Sequence, residues 1–356
     1  MKRMSLINNP LYKDDLLKVV EHTPDLKSLD GQSLLMIGAS GMIGSFLVDT
    51  LMLANQYLGV NIKVYAMGRN RQRLEERFSP YISDQNFEII EGDVTDPLPF
   101  SIKADYIIHG ASNTHPKAYA TDPIGTIMTN LAGTEQVLKH AVATEPKRVL
   151  FLSTVEIYGE NRGDVEKFSE DYCGYIDCNT LRAGYPEGKR VSESLCQAYI
   201  AKHQLDIVIP RLCRTFGPTM LLSDSKASSQ FILNAVHEED IVLKSEGNQY
   251  FSYIYVGDAV SAMLHLLIHG QNGEAYNISN DSFDLHLKEL AQKLAEISGK
   301  QVIFELPDAI EQQGFSKANT AILNNEKIKD TGWFPIFSLE ESLKHTVQLV
   351  KDEIHV

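Results

Sequence analysis

Between residues 33 and 212 the chain alternates short, almost wholly apolar runs with longer stretches whose apolar residues recur at helical spacing. "SLLMIGAS" (33–40) predicts a buried strand, and "MIGSFLVDTLMLANQYL" (42–58) predicts the helix that follows it. "NIKVYAMG" (61–68) predicts a second strand, followed by a charged helix through "RQRLEERF". "NFEIIEGDV" (86–94) and "ADYIIHGAS" (104–112) predict a third and a fourth strand, with a long helix between about Pro123 and Ala143. "KRVLFLST" (147–154) is the fifth predicted strand and "LDIVIPRL" (205–212) the sixth, separated by the helical stretch "YPEGKRVSESLCQAYIAKH". Strands that are apolar throughout and alternate with helices predict a parallel sheet covered on both faces.

Beyond residue 213 short strands ("DIVLKS", "FSYIYV", "EAYNIS") mix with helices in no fixed alternation. The expected organisation is therefore a polar N-terminal extension over 1–30, a doubly wound α/β domain over 31–212, and a smaller mixed C-terminal region over 213–356. The net charge of −14 argues against a nucleic-acid partner, because polyanions are held by clustered Lys and Arg. No apolar run approaches the length of a membrane helix, and the first residues, "MKRMSLINNPLYKDD", have no apolar core of a secretory signal. The four cysteines, Cys173, Cys178, Cys196 and Cys213, form no CxxC pair, so neither a zinc site nor a disulfide framework is expected. Reduced thiols and a cytoplasmic location are the expectation.

Gly38, Gly41 and Gly44 stand between the first predicted strand and its helix, in "LLMIGASGMIGSFL". This GxxGxxG spacing is a variant of the Rossmann fingerprint: a tight turn, close backbone approach to a pyrophosphate, and close packing of helix on strand. The helix start, with Ser40, Met42 and Ile43 around the glycines, offers backbone N–H groups to an anion. An acidic residue at the end of the second strand, which would bind the 2′-hydroxyl of NAD, is absent from "YAMGRNRQR". Arg69, with Arg71 or Arg73, offers a 2′-phosphate a partner instead, so NADP stands beside NAD as a cofactor reading. Asp93 and Val94 in "EGDVTD" sit where the adenine would lie, with Asp93 placed to accept from its amino group.

A nucleotide site gives meaning to Tyr185 and Lys189, four apart at the start of the helix after the fifth strand. Strands of a doubly wound sheet point their C-terminal ends at the cofactor crevice, so Thr154, Tyr185 and Lys189 are expected to converge there. An ordinary phenol has a pKa of about 10, too high for a base at neutral pH. A neighbouring ammonium and a positively charged nicotinamide ring are expected to lower it.

At this point the chain resembles the extended short-chain dehydrogenase/reductase family, in its nucleotide-sugar epimerase/dehydratase branch. The matching segments are "GASGMIG", "GDVTD", "IIHGAS", "NLAGTEQVL", "STVEIYG", "YPEGK", "RTFGP" and "GWFP", in the family's order over about residues 32–350. The resemblance implies that Tyr185 is the general base, Thr154 orients the sugar hydroxyl, and Lys189 binds the nicotinamide ribose. It also implies that Gly110, Ala111 and Ser112 line the cofactor, that a transient 4-keto sugar forms, and that hydride returns to the sugar. Asn113, Thr114, His115 and Lys117 in "HGASNTHPKAY" fall near the crevice as substrate-side candidates, His115 as a shaping residue rather than a catalyst.

Three second steps are open: epimerisation, 4,6-dehydration, or loss of carbon dioxide from a uronic acid. The dehydratases resemble "TDE" where this chain reads Thr154–Val155–Glu156, so the acid is missing here. UDP-glucuronate decarboxylases resemble "TSE" followed by "YDEGKR", close to "TVEIYG" and "YPEGKRVSES", and "FGPTM" and "SSQFILNAV" are similar to that subgroup as well. Glu156 is then either a catalyst at C5 or a structural partner. A net NAD(P)-dependent sugar oxidoreductase is the remaining alternative.

Two positions depart from the family pattern. Arg214 in "CRTFGP" stands where an asparagine is usual, and Phe251 stands where a diphosphate-binding arginine is usual. Arg214 is expected to bind substrate; either it replaces that lost cation or the substrate is not a standard UDP-sugar. The resemblance further implies a homodimer built as a four-helix bundle from the helices near 123–143 and 184–203.

Overall fold

The computed structural model describes residues 6–114, 116–305 and 319–355. The apolar runs become strands β1 (Ser33–Ile37), β2 (Lys63–Gly68), β3 (Phe87–Glu91), β4 (Tyr106–His109), β5 (Arg148–Phe151), β6 (Ser153–Thr154) and β7 (Ile207–Leu212). After them come β8 (Arg214–Phe216), β9 (Ile241–Leu243), β10 (Tyr250–Tyr255) and β11 (Ala275–Ile278). The helices are α1 (Pro10–Glu21), α2 (Met42–Leu58), α3 (Arg71–Arg77), α4 (Pro116–Thr121), α5 (Pro123–Thr144), α6 (Gly184–His203), α7 (Ala227–Val236) and α8 (Val256–His269), followed by Leu287–Ser298 and Leu339–His355.

The large sheet has the order β11-β7-β5-β4-β1-β2-β3, with β6 continuing beside β7. Every pairing in it is parallel. Chain order runs outward in both directions from the β1/β4 junction, where Ile37 faces both Met67 and His109. That junction opens a crevice at the C-terminal strand ends, and the candidate site lies there. Strands such as β1, whose Leu34, Leu35, Met36 and Ile37 are all buried, fit a sheet covered by helices on both faces.

Helix ends are set by local chemistry. α5 begins with Pro123 after the N-cap Asp122, whose carboxylate accepts from the Gly125 N–H at 2.9 Å. α2 ends at Gly59, in the left-handed region at φ 68.

Two findings refine the expected layout. The stretch 275–278, beyond residue 212, does not stay with the C-terminal region; it completes the large sheet beside β7. Short runs carry no record of their pairing partner, so the alternation alone did not reveal this return. The N-terminal segment, polar in composition, is integrated into the core. α1 buries Tyr12, Leu16, Val19 and Val20, each worth about 1.5–3 kcal/mol on removal from water. Its buried Asp15 accepts from the Tyr255 hydroxyl at 2.5 Å and pairs with His345 at 2.8 Å, tying both ends of the chain together.

The smaller sheet forms around β10, which pairs in parallel with β8 and Thr320–Ala321 and antiparallel with Asp284–His286. The register Tyr253↔Arg214 brings the "CRTFGP" and "GNQYFSYIYVGD" segments side by side.

Candidate active site

The glycine turn after β1 has the expected shape. Gly38 has φ 90, a backbone that side chains rarely adopt, and its N–H and that of Ala39 both donate to the Met67 carbonyl at 3.0 Å. A Cβ on Gly38 would lie 2.9 Å from the Ala111 nitrogen, and one on Gly44 would lie 2.5 Å from the Gly38 carbonyl oxygen. The first position lets the β4 loop close on the turn, and the second seats α2 against it. Gly41 caps α2 without a side chain, which leaves the first-turn N–H groups at Met42, Ile43 and Gly44 for an anion. Ser40, Met42 and Ile43 are half-buried around this opening.

This cradle fits a dinucleotide. Beside it, Asp93 takes both the N–H and the hydroxyl of Thr95, at 2.9 and 2.7 Å. Burial raises the Asp93 carboxyl, but the Thr95 bonds and Arg69 outweigh it, and the net direction is downward. Val94 is buried under α5, where a Cβ on Gly133 would meet it at 2.8 Å. The arginines offered for a 2′-phosphate are engaged: Arg69 with Asp93 at 3.9 Å, Arg71 with Glu75 at 2.7 Å, and Arg73 on the Ser40 carbonyl at 3.4 Å. A 2′-phosphate near Arg69 would also meet the Asp93 carboxylate, so this edge favours NAD.

On the other side of the crevice, the β4 loop carries Gly110, Ala111 and Ser112. A Cβ on Gly110 would strike Met36 at 2.9 Å and Leu152 at 3.0 Å. The Ser112 hydroxyl donates to Asn130 of α5 at 2.9 Å. Asn113 is half-buried and Thr114 exposed at the loop's end. His115 and the side chain of Lys117 lie outside the described residues.

Tyr185 and Lys189 occupy one face of the first turns of α6, both buried. The Thr154 side chain lies close enough to the Tyr185 phenol to favour its ionised form, and it also caps the short helix Val155–Tyr158 by accepting from the Glu156 N–H at 3.3 Å. The Lys189 ammonium donates to the Leu152 carbonyl at 2.7 Å and sits 4.7 Å over the Phe151 ring. Burial lowers its pKa to about 8, with Glu193 opposing. Glu193, one turn further along α6, receives the Ser153 hydroxyl and two bonds from Arg211 at 3.1 and 2.6 Å.

The expectation of a phenol lowered by Lys189 is corrected here. The Tyr185 pKa is raised, first by burial and then by the Glu156 carboxylate; the opposing influences are Thr154 and Arg182, not Lys189. Lys189 acts instead on His109, whose pKa is pushed down to about 3, chiefly by burial. Helical spacing placed the two groups on one face, but Lys189 turns its charge toward the end of β5.

Glu156 is not a free carboxylate. Arg182 holds both its oxygens, at 2.8 and 2.7 Å. Arg182 also lies over the Tyr119 ring at 4.8 Å, and that ring stacks on Tyr185 with centroids 5.1 Å apart. Val155 is buried in the hydrophobic core. Arg214 and Phe251, the two departures from the family pattern, are in contact: the guanidinium lies 3.3 Å from the ring centroid. Its Nη1, like Arg182 Nε, is buried with no hydrogen-bond partner among the described residues.

Arg182, Tyr119 and Glu193 were not singled out from the sequence. Arg182 stands two residues before "GYPEGK", and that proximity was its only signal. Tyr119 and Glu193 carried none, because their roles depend on packing between α4, α5 and α6.

A family model described as NAD dependent epimerase/dehydratase family matches residues 34–279. UDP-glucuronic acid decarboxylase 1 of Danio rerio is 32% identical over 342 residues, covering 95% of this chain and 78% of its own. UDP-glucuronic acid decarboxylase 6 of Arabidopsis thaliana is 32% identical over 316 residues, covering 87% of this chain and 86% of its own. Among solved structures, DesIV, a dTDP-glucose 4,6-dehydratase from Streptomyces venezuelae with NAD and TYD bound, is 25% identical with a TM-score of 0.76 over 89% of this chain and 96% of that one. With the glycine cradle, the Thr154–Tyr185–Lys189 set and a family match that takes in both, the chain belongs to the NAD-dependent epimerase/dehydratase family.

Proposed function

We propose that the chain converts a nucleotide-linked uronic acid through a 4-keto intermediate, in the manner of a UDP-glucuronate decarboxylase, with NAD retained. The observation that carries this reading is the buried Tyr185 phenol beside Thr154, with Lys189 on the same face of α6, in a chain that also holds the glycine cradle. NAD, when bound, supplies a hydride acceptor and later returns the hydride. Gly38, Ser40, Gly41, Met42, Ile43 and Gly44 hold its pyrophosphate; Asp93, Val94, Gly110, Ala111 and Ser112 line its remaining length, and Lys189 meets its ribose.

Tyr185 takes the proton from the sugar hydroxyl, and Thr154 holds that hydroxyl in line. A positively charged ring near the buried phenol favours the phenolate, the influence that Lys189 does not supply in this arrangement. Once the neighbouring carbon is a ketone, a carboxylate β to it leaves as carbon dioxide, the C–C electrons passing into the ketone as an enolate. That step asks little more of the protein than room for the departing group. Glu156, bound to Arg182, has the charge to orient the sugar but not the free proton that dehydration requires, which supports decarboxylation over 4,6-dehydration. Asn113, Thr114 and Arg214 complete the substrate side.

Residues up to about 212 serve mainly the cofactor and those from 213 mainly the substrate, although β11 returns to the large sheet. The four cysteines are free thiols, which supports a cytoplasmic setting, and no helix among the described residues is long and apolar enough to cross a membrane. Ile124 and Met128 on α5 and Val191 on α6 are 74%, 45% and 45% exposed, an apolar face that supports a homodimer through these helices.

The testing experiment incubates the purified, NAD-loaded protein with UDP-glucuronate and follows mass and NADH absorbance together. Loss of carbon dioxide without net NADH formation supports the proposal. An isomer of unchanged mass identifies an epimerase, and stoichiometric NADH a net oxidoreductase.

A further inference from the structure

Arg214 is hard to explain as a structural residue. It sits on β8 beside Tyr253 of β10, and its guanidinium carbon lies 3.3 Å from the centroid of the Phe251 ring, two residues earlier on the same strand. Residues two apart on a strand share a face, so Phe251 serves as its platform. Yet Arg214 makes no ion pair among the described residues, and its Nη1 is buried with no partner. A buried guanidinium nitrogen left without a partner destabilises the fold unless something else satisfies it.

The surroundings show what would satisfy it. The carboxylate that acts on Arg214 electrostatically is Glu156, and both oxygens of Glu156 already belong to Arg182. Two guanidinium groups therefore face one carboxylate, an excess of one positive charge. Arg182 adds a second buried and unpartnered atom, its Nε. Glu156 lies two residues past Thr154, so the excess charge lies beside the place where Tyr185 and Thr154 hold the sugar.

We infer that Arg214, seated over Phe251 and backed by the Arg182–Glu156 pair, is the receptor for an anionic oxygen group of the substrate. This rests on the nucleotide-sugar reading above. Two sources share that chemistry: a carboxylate on the sugar and the phosphate joined to it. The planar fork of arginine suits either, and contact with the Phe251 ring holds it in place before the ligand arrives.

The experiment uses NAD-loaded wild type, Arg214→Met and Arg214→Lys, titrated calorimetrically with UDP-glucuronate, UDP-glucose and UDP. Arg214→Met is expected to weaken the cognate ligand about tenfold to a hundredfold, the range for a lost charge-assisted pair. Arg214→Lys is expected to fall between Arg214→Met and wild type. A loss confined to UDP-glucuronate assigns the sugar carboxylate; a loss shared by all three ligands assigns the phosphate. Unchanged affinity for all three overturns the inference.

Two further measurements keep the outcomes separate. Without ligand, Arg214→Met is expected to melt at or above the wild-type temperature, because it removes a buried unmatched charge; a marked fall makes Arg214 structural and overturns the inference. If wild type binds none of the three ligands, the nucleotide-sugar reading fails by itself. Arg214 is then tested by melting in inorganic phosphate and in malonate against sodium chloride at equal ionic strength. Stabilisation of wild type but not of Arg214→Met upholds the receptor, and no stabilisation of either overturns it.

Discussion

Arg182 holds Glu156 by both carboxylate oxygens, at 2.8 and 2.7 Å, within electrostatic reach of the Tyr185 phenol. The two partners act on that phenol in opposite directions. Glu156 raises its pKa and Arg182 lowers it. With Tyr185 as the proposed base, kcat/KM should rise with pH as the phenol loses its proton. Glu156→Gln should therefore move the acidic limb of the pH profile to lower pH, and Arg182→Gln should move it to higher pH. Shifts in the same direction would contradict this arrangement.

Lys189 links the site to stability. Its folded-state pKa is about 8 against an ordinary 10.5, because burial disfavours the ammonium. Between those values the unfolded chain carries a proton that the folded chain has released, so this group's contribution to stability rises with pH across that window. The difference in Tm between wild type and Lys189→Met should climb from about pH 8 to pH 10, where the slope reports the lysine alone. A flat difference would place the Lys189 pKa near its ordinary value.

The glycine cradle predicts a graded series. Gly44→Ala puts a Cβ 2.5 Å from the Gly38 carbonyl, whereas the nearest atom to one on Gly41 is 3.3 Å away. Gly44→Ala should cost about 1–3 kcal/mol by overpacking and weaken NAD binding, with Gly41→Ala milder on both counts. Urea unfolding and NAD titration check the order.

The cradle was legible because its chemistry is local: three glycines at fixed spacing between a strand and a helix dictate the turn. The sheet was legible for a similar reason, since wholly apolar strands alternating with helices leave few other arrangements. Tyr185 and Thr154 could be paired from the ends of their elements. The direction of the Lys189 side chain could not, because both neighbouring turns of α6 were available to it. The Arg182–Tyr119–Tyr185 stack joins α4 to α6, and the Arg214–Phe251 contact depends on the register of β8 on β10. Such contacts are set by tertiary packing and leave no spacing in the chain.

The exposed face of α5 and α6 predicts an oligomer. Ile124 and Met128 lie one turn apart and are exposed. The double variant Ile124→Glu, Met128→Glu should sediment as a monomer with an unchanged circular dichroism spectrum, whereas wild type should sediment as a dimer. A monomeric wild type would refute the bundle.

The central claim is that the buried Tyr185 phenol, beside Thr154, is the base, and Tyr185→Phe tests it most directly because it removes one oxygen and keeps the ring that stacks on Tyr119. NAD content and turnover of UDP-glucuronate should be measured on the same preparation. The account predicts wild-type NAD occupancy with turnover reduced by about 10²–10⁴-fold or more, the usual worth of a positioned acid–base group. Turnover near that of wild type, with NAD still bound, would contradict it.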